Sequence, residues 1–215
     1  MTGSEPEAQR VGRIVKLTFD HPRSTERLRL RPVRVDDAAA LLAYRSLPDV
    51  ARYVPFEPMD AAEIERRFAG PWSRATLAEA GDSVLIGIER LDTGQLIGDI
   101  TLFLHSVSDR GGEIGWVLHP DHSGHGYATE AAHGVLHLAF DELRLHRVVA
   151  RVDARNASSL ALCERLGMRR EAVLLANEWF KGEWTDEVDY ALLEDEWAAA
   201  HAAGPTPCLW PLSPS

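Results

Sequence analysis

The chain has 215 residues, 45% of them hydrophobic and 26% charged, with a formal net charge of -10 at pH 7. That is enough for one good-sized globular domain plus tails, and the composition excludes a disordered or fibrous chain. The negative balance argues against nucleic acid as the main partner, no apolar run approaches a membrane span, and two cysteines without metal-type spacing, Cys163 and Cys208, point to a reducing, cytoplasmic setting.

Residues 1–24 mix glycine, proline and charge without periodicity and lack the apolar run of a secretory signal, so they read as an N-terminal tail. Within it, residues 11–19 have the composition of an edge strand. Residues 27–33 alternate Leu28, Leu30 and Pro32 with Arg27, Arg29 and Arg31, which predicts a first core strand. Asp36 is read as the N-cap of a helix with Ala38, Leu41 and Leu42 on one face, ending before Pro48. Residues 53–59, with Pro55, Phe56 and Pro58, form an aromatic loop, either plain packing or a wall of a substrate pocket. Asp60-Ala61-Ala62-Glu63 has the pattern of a capping box and opens a second helix, which Gly70-Pro71 interrupts and residues 72–79 are expected to resume. Residues 83–91 and 95–105 read as strands joined at Asp92-Thr93-Gly94, and residues 113–118 as a third strand of this meander, after Gly111-Gly112.

The next stretch, His119 to Ala131, carries two glycines between a strand and a helix. Such a turn leaves backbone N–H groups uncovered at the positive end of a helix dipole, which suits phosphate or pyrophosphate. The helix, residues 129–143, places Ala132, Leu136, Ala139 and Leu143 on one face. A strand over 146–153, a short helix over 158–166 closed by Gly167, and a hairpin of 169–180 with 185–193 around Lys181-Gly182 follow. Residues 198–215, with four prolines, read as a C-terminal tail. This order implies an α/β (α+β) domain over residues 25–197, with a mixed, mostly antiparallel central sheet of about seven strands and helices on both faces. A helix joins the fourth and fifth core strands, so these run parallel through a right-handed crossover.

Two sets of histidines invite a metal reading: His119, His122 and His125 in the loop, and His133 with His137 one helical turn apart. The loop set is explained better by phosphate binding and the helical pair lacks the glutamate of a His-Glu-x-x-His motif, so no metal is expected. Arg147, Arg151, Arg155 and Arg165 form a basic cluster in sequence, open to a phosphate or to solvent.

Taken together these pieces resemble the GNAT superfamily of acetyl-CoA-dependent N-acetyltransferases, and within it the Rim-type branch that includes ribosomal-protein N-terminal acetyltransferases. The resemblance runs from about Thr25 to Trp197. Its carriers are Thr25-Glu26-Arg27-Leu28-Arg29-Leu30-Arg31-Pro32, Leu96-Ile97-Gly98-Asp99, Glu113-Ile114-Gly115-Trp116-Val117-Leu118, the glycine loop, Asn156-Ala157-Ser158-Ser159 and Glu164-Arg165-Leu166-Gly167-Met168. It implies a sheet splayed between the fourth and fifth core strands. It also implies acetyl-CoA as co-substrate, held by the loop Ser123, Gly124, His125, Gly126, Tyr127, Ala128 and Thr129, by the strand Trp116, Val117 and Leu118, and by Asn156, Ser159 and Cys163. Ser123 departs from the family's usual Gln or Arg, and Cys163 stands where many members carry a catalytic Tyr.

The implied reaction is direct acyl transfer to a primary amine, on a protein N-terminus or a small molecule. By resemblance Ser159 is the acid and Glu178 the base; Glu113, in the strand feeding the loop, is a second candidate base. A backbone N–H near Val117 or Leu118 would steady the developing oxyanion. Tyr53, Phe56, Trp116 and Trp179 are candidate walls of the acceptor groove. The resemblance also implies a homodimer. The alternative reading is a non-catalytic acyl-CoA-binding module of the same fold.

Overall fold

The computed structural model describes residues 16–202. Residues 1–15 and 203–215, with most of both tails, Cys208 and the first part of the expected edge strand, lie outside the described residues. Strand β1 (Leu17–Thr18) pairs antiparallel with β4 (Thr76–Leu77), apart from the main sheet. Residues 72–79 therefore do not resume the second helix: Pro71–Ser73 form a single 3-10 turn, and the chain then extends to meet β1.

Among the described residues the main sheet has eight strands, one more than the seven or so expected, because β2 (Arg23–Ser24) adds a short edge to β3 (Leu28–Pro32). The meander consists of β5 (Ser83–Arg90), β6 (Leu96–Ser106) and β7 (Gly111–Leu118), followed across the chain by β8 (Arg147–Asp153), β9 (Arg169–Phe180) and β10 (Glu183–Leu193). Spatial order is β2-β3-β5-β6-β7-β8-β10-β9. Every neighbouring pair is antiparallel except β7 with β8. These two are the fourth and fifth core strands, and they pair only from Gly111 with Arg147 to Glu113 with Val149. Beyond Glu113 they part, which is the expected splay.

Strand alternation sorts the apolar residues to two faces. Leu30, Ile86, Ile100, Ile114 and Ala150 meet α4 (Tyr127–His137) and α5 (Ala157–Arg165) in one core; Val33, Leu85 and Val117 meet α1 (Ala38–Arg45) and α3 (Ala61–Phe68) in the other. Each such fully buried aliphatic side chain contributes about 1.5–3 kcal/mol. A four-residue helix, α2 (Pro48–Ala51), follows α1. Ala132, Leu136, Ala139 and Leu143 are all buried as expected, but α4 starts two residues early, at Tyr127, and ends in a π turn over Leu138–Glu142.

Two caps differ from expectation. A 3-10 turn at Val35–Asp37 precedes α1, and the carboxylate that acts there is Asp37, not Asp36: it accepts from the Arg34 amide at 2.7 Å and pairs with buried Arg31. Asp60 does cap α3 by accepting from the Glu63 amide at 2.8 Å, while the Glu63 carboxylate turns to Arg67 and Arg66 instead of reaching back. At the other end, α6 (Glu194–His201) crosses the expected domain boundary at 197, sealed by buried Trp197.

Candidate active site

The gap between β7 and β8 exposes a strand edge. The His119 amide donates to the Ile97 carbonyl on β6 at 2.8 Å. Alternation along β7 then turns the amides of Val117 and Gly115 to β6 and those of Trp116 and Leu118 to the gap, where no strand among the described residues meets them. An extended amide-bearing ligand fits such an edge by adding backbone hydrogen bonds. Gly98 keeps β6 tight against this strand: a Cβ there would lie 2.5 Å from the Val117 carbonyl.

At the end of β7 the chain enters the glycine loop. Gly124 and Gly126 both have φ of +80°, a left-handed conformation that other residues adopt at a cost. Gly126 is the N-cap of α4, so Tyr127, Ala128 and Thr129 hold the first helical positions, whose N–H groups have no acceptor in the helix. That left-handed backbone favours glycine; within the chain a Cβ on Gly124 would meet nothing within 4 Å, and one on Gly126 only the Arg27 guanidinium at 3.4 Å. A clamp legible only in three dimensions braces the loop. Glu130 accepts from the Thr25 hydroxyl at 2.5 Å and the Arg27 amide at 2.8 Å, and Arg27 donates to the His125 carbonyl at 3.0 Å. Arg27 also lies over the Tyr127 ring. Uncovered amides, a helix N-terminus and nearby guanidinium groups suit a phosphate or pyrophosphate.

The basic cluster comes apart. Arg147 pairs with Glu171, Arg151 with Glu113 and Arg155 with Asp153 and Glu183; Arg165 alone of the four reaches the loop's end, donating to Thr129 Oγ1 at 3.3 Å. His119, His122 and His125 pack around Tyr44 and Tyr127, and His133 and His137 meet Trp197 and His201 from α6.

Beside the gap lies a cavity of about 460 Å³, bordered by Trp116, Val117, Asn156 and Ser159 on one side and by Tyr53 and Phe56 on another. Trp116 Nε1 donates to Ser159 Oγ at 3.1 Å. An indole N–H only donates, so this contact occupies a lone pair of the hydroxyl and leaves its proton free for a ligand. Asn156 Oδ1 caps α5, accepting from the Ser159 amide at 3.2 Å and the Ser158 hydroxyl at 2.8 Å, so its Nδ2 is the group left for a ligand. Ser159 is thus freed from the capping duty that a serine in the first turn of a helix often takes.

Cys163 is not part of this site. It is fully buried in the α4–α5 core, away from the cavity lining, and burial pushes its thiol up to about 12. Trp179 is likewise absent from the lining: it is 61% exposed and packs edge-on against Trp184. Phe180 borders the cavity instead, and Lys181 beside it donates to the Phe56 carbonyl at 2.8 Å, tying the aromatic loop to the β9–β10 turn.

Glu113 and Glu178 both border the cavity, but differently. Glu113 is held 3.0 Å from Arg151 and 2.9 Å from His105; the Glu178 side chain is exposed. Sequence reading missed a third carboxylate, Glu187 on β10, half-buried at the same cavity, and a buried trio behind it of Tyr44, Arg45 and Asp99. Alternation on β10 was the available signal for Glu187, since Val188 and Tyr190 turn the opposite way into the core.

The acetyltransferase (GNAT) domain family matches residues 27–169. The uncharacterized N-acetyltransferase YnaD of Bacillus subtilis (strain 168) is 33% identical over 174 residues, covering 81% of this chain and 98% of that protein. YoaA of the same strain, another uncharacterized N-acetyltransferase, is 32% identical over 170 residues, 79% of this chain and 95% of its own. The crystal structure of an acetyltransferase (GNAT family) from Bacillus anthracis superposes with a TM-score of 0.73 at 29% identity, covering 82% of this chain and 100% of that one.

Proposed function

The chain belongs to the GNAT acetyltransferase family, and from that membership we propose that it moves an acetyl group from acetyl-CoA directly to a primary amine in the manner of the Rim-type branch. The observation that carries this reading is the Trp116–Ser159 hydrogen bond at the mouth of the β7–β8 gap, beside a cavity bearing Glu178 and Glu187. Bound acetyl-CoA supplies an activated thioester. The loop amides from Gly124 to Thr129 hold its pyrophosphate, and the edge of Trp116 and Leu118 with Asn156 Nδ2 holds its extended arm. The Leu118 amide, turned into the gap, donates to the developing oxyanion. The Ser159 hydroxyl, its proton left free by Trp116, protonates the departing sulfur. Carboxylates on the cavity attract a cationic acceptor and take its proton, on a protein N-terminus or a small-molecule amine. Gly115, where a Cβ would meet nothing within 4 Å, leaves the approach open.

The chain also assembles as a homodimer in this proposal, supported by the long outer strand β9, whose Val173, Leu175 and Trp179 are exposed.

The test is release of free CoA thiol by the full chain with a panel of amines and peptide N-termini, alongside acetyl-CoA binding by calorimetry. Amine-dependent release is expected, with Ser159→Ala lowering kcat by about 10²-fold while the acetyl-CoA Kd stays put. Binding without transfer to any amine would instead mark a non-catalytic acyl-CoA-binding module. Neither binding nor transfer would sink both readings.

A further inference from the structure

Residues on one face of the sheet converge at the cavity. Val117, Gly115 and Glu113 on β7 lie opposite Asp99, Thr101 and Phe103 on β6, and Arg151 and Asp153 on β8 lie opposite Asp189 and Glu187 on β10. The outer strand does not run regularly past Glu187. Thr185 pairs with Glu178 and Glu187 with Leu174, so three residues of β9 stand against one of β10. In this bulge Ala176 has φ of +48°, a strained conformation for a residue with a Cβ. Two contacts hold it: the Ala176 amide donates to Asp186 Oδ1 at 2.8 Å, and Asn177 Nδ2 donates to Glu187 Oε1 at 3.1 Å. The bulge thus aims an amide donor at one oxygen of a cavity carboxylate and leaves the other, Oε2, free.

We propose that Glu187, oriented by Asn177 from the β9 bulge, is the group that takes the proton from the incoming ammonium. The inference rests on the amine-acetyltransferase reading and names a base different from those the sequence suggested. Glu113 is held in an ion pair with Arg151 at 3.0 Å, and the Glu178 side chain makes no hydrogen bond that would orient it among the described residues. The groups facing Glu187 are Asp189 and Asp186 on its own strand, Arg151 and Asp153 on β8, Glu178 and Asn177 on β9, and Glu113 on β7. Burial, then the charge of Asp189, with Glu178 and Glu113 adding to it, raises the Glu187 carboxyl above its ordinary 4.5, and Arg151 opposes the shift. A carboxylate of raised proton affinity is a better base near neutral pH.

The step balances as follows. One N–H bond of the ammonium breaks, its electron pair stays on nitrogen, and the proton goes to Glu187 Oε2. That pair forms the N–C bond to the acetyl carbonyl carbon while the C–S bond breaks and its pair leaves with sulfur. A second amine proton ends on the sulfur by way of Ser159, the third stays on the amide, and Glu187 returns its proton to water.

The test has two readouts on the full chain. Carbon-13 NMR of the glutamate carboxyls without cofactor, with Glu187 assigned by its loss in Glu187→Gln, is expected to give a midpoint above 4.5 that rises further in Asn177→Ala, which removes a donor to the charged form. A midpoint at or below that value overturns the proposal. In the thiol assay, Glu187→Gln is expected to lower kcat/KM for the amine by about 10²-fold and to displace the acidic limb of its pH profile, with acetyl-CoA affinity unchanged and Glu187→Asp partly active. A variant that keeps the wild-type rate and profile removes the role of Glu187 and spares the transferase reading. A wild-type chain that binds acetyl-CoA and acetylates no amine removes both.

Discussion

Asp99 shows how much one side chain arranges around this site. It is 1% exposed and accepts from the Tyr44 hydroxyl at 2.5 Å and from Arg45 at 3.0 and 2.6 Å. Burial, then the charge of Asp99, raises the Tyr44 phenol well above its ordinary value, so it stays a neutral donor. Arg45 in turn lies 4.7 Å from the Phe56 ring and 5.1 Å from that of Trp72, so the carboxylate positions part of the aromatic cavity wall. Asp99→Ala would leave a buried guanidinium without its counter-charge. We expect a loss of about 3–5 kcal/mol in urea unfolding, with Asp99→Asn costing less because it keeps an acceptor. Equal midpoints for wild type and Asp99→Ala would count against this account. The motif Leu96-Ile97-Gly98-Asp99 was visible in the sequence, but this role was not, because Tyr44 and Arg45 lie 55 and 54 positions away.

At the scale of elements, α6 is held by rings. Trp197 lies 3.8 Å from His201, 4.9 Å from His137 and 5.5 Å from Phe140 between ring centres, and His133 on α4 faces the same group. Burial, then the neighbouring His201 and His137, lowers His133 below its ordinary 6.5. A histidine that binds its proton more weakly folded than unfolded stabilises the fold fully above that ordinary value, and this stability is lost as pH falls through the lower folded value. Amide exchange in α6, corrected for its intrinsic pH dependence, is therefore expected to be faster at about pH 5 than at about pH 7.5, and His133→Asn to narrow the difference. Exchange in α6 that ignores pH would refute the coupling. The helix itself ran past the boundary drawn from sequence because its support is a tertiary contact with α4, not a local pattern.

For the whole molecule, one sheet carries two cores and ends unequally. One edge is the two-residue β2; the other is β9, twelve residues long, with Leu175 77% and Trp179 61% exposed. A long apolar edge of this kind is a site for pairing with another chain. Light scattering at micromolar concentration is expected to give twice the mass of one chain, and Leu175→Lys to shift it toward a single copy. A single-copy mass for the wild type would remove the dimer. The splay of β7 from β8 belongs to this scale too, since it leaves the edge of β7 open beside the cavity.

What the sequence determined by itself was local. Leucine alternation marked a core strand, two glycines marked a turn between a strand and a helix, and Asp60 marked a helix start, because each signal is written within a few residues of where it acts. What only the tertiary structure decided was company. Cys163, at a position the resemblance assigns to the cofactor but of a residue type that favours the core, is buried; Arg147, Arg151 and Arg155, a cluster in sequence, each pair with carboxylates instead. Glu187 meets Asn177 through a bulge that no residue type announced. Glu171 lies 24 positions from Arg147 and Glu113 lies 38 from Arg151, so these partners meet only through the sheet, and the bulge that brings Asn177 to Glu187 shifts the register that the β9–β10 hairpin would otherwise keep.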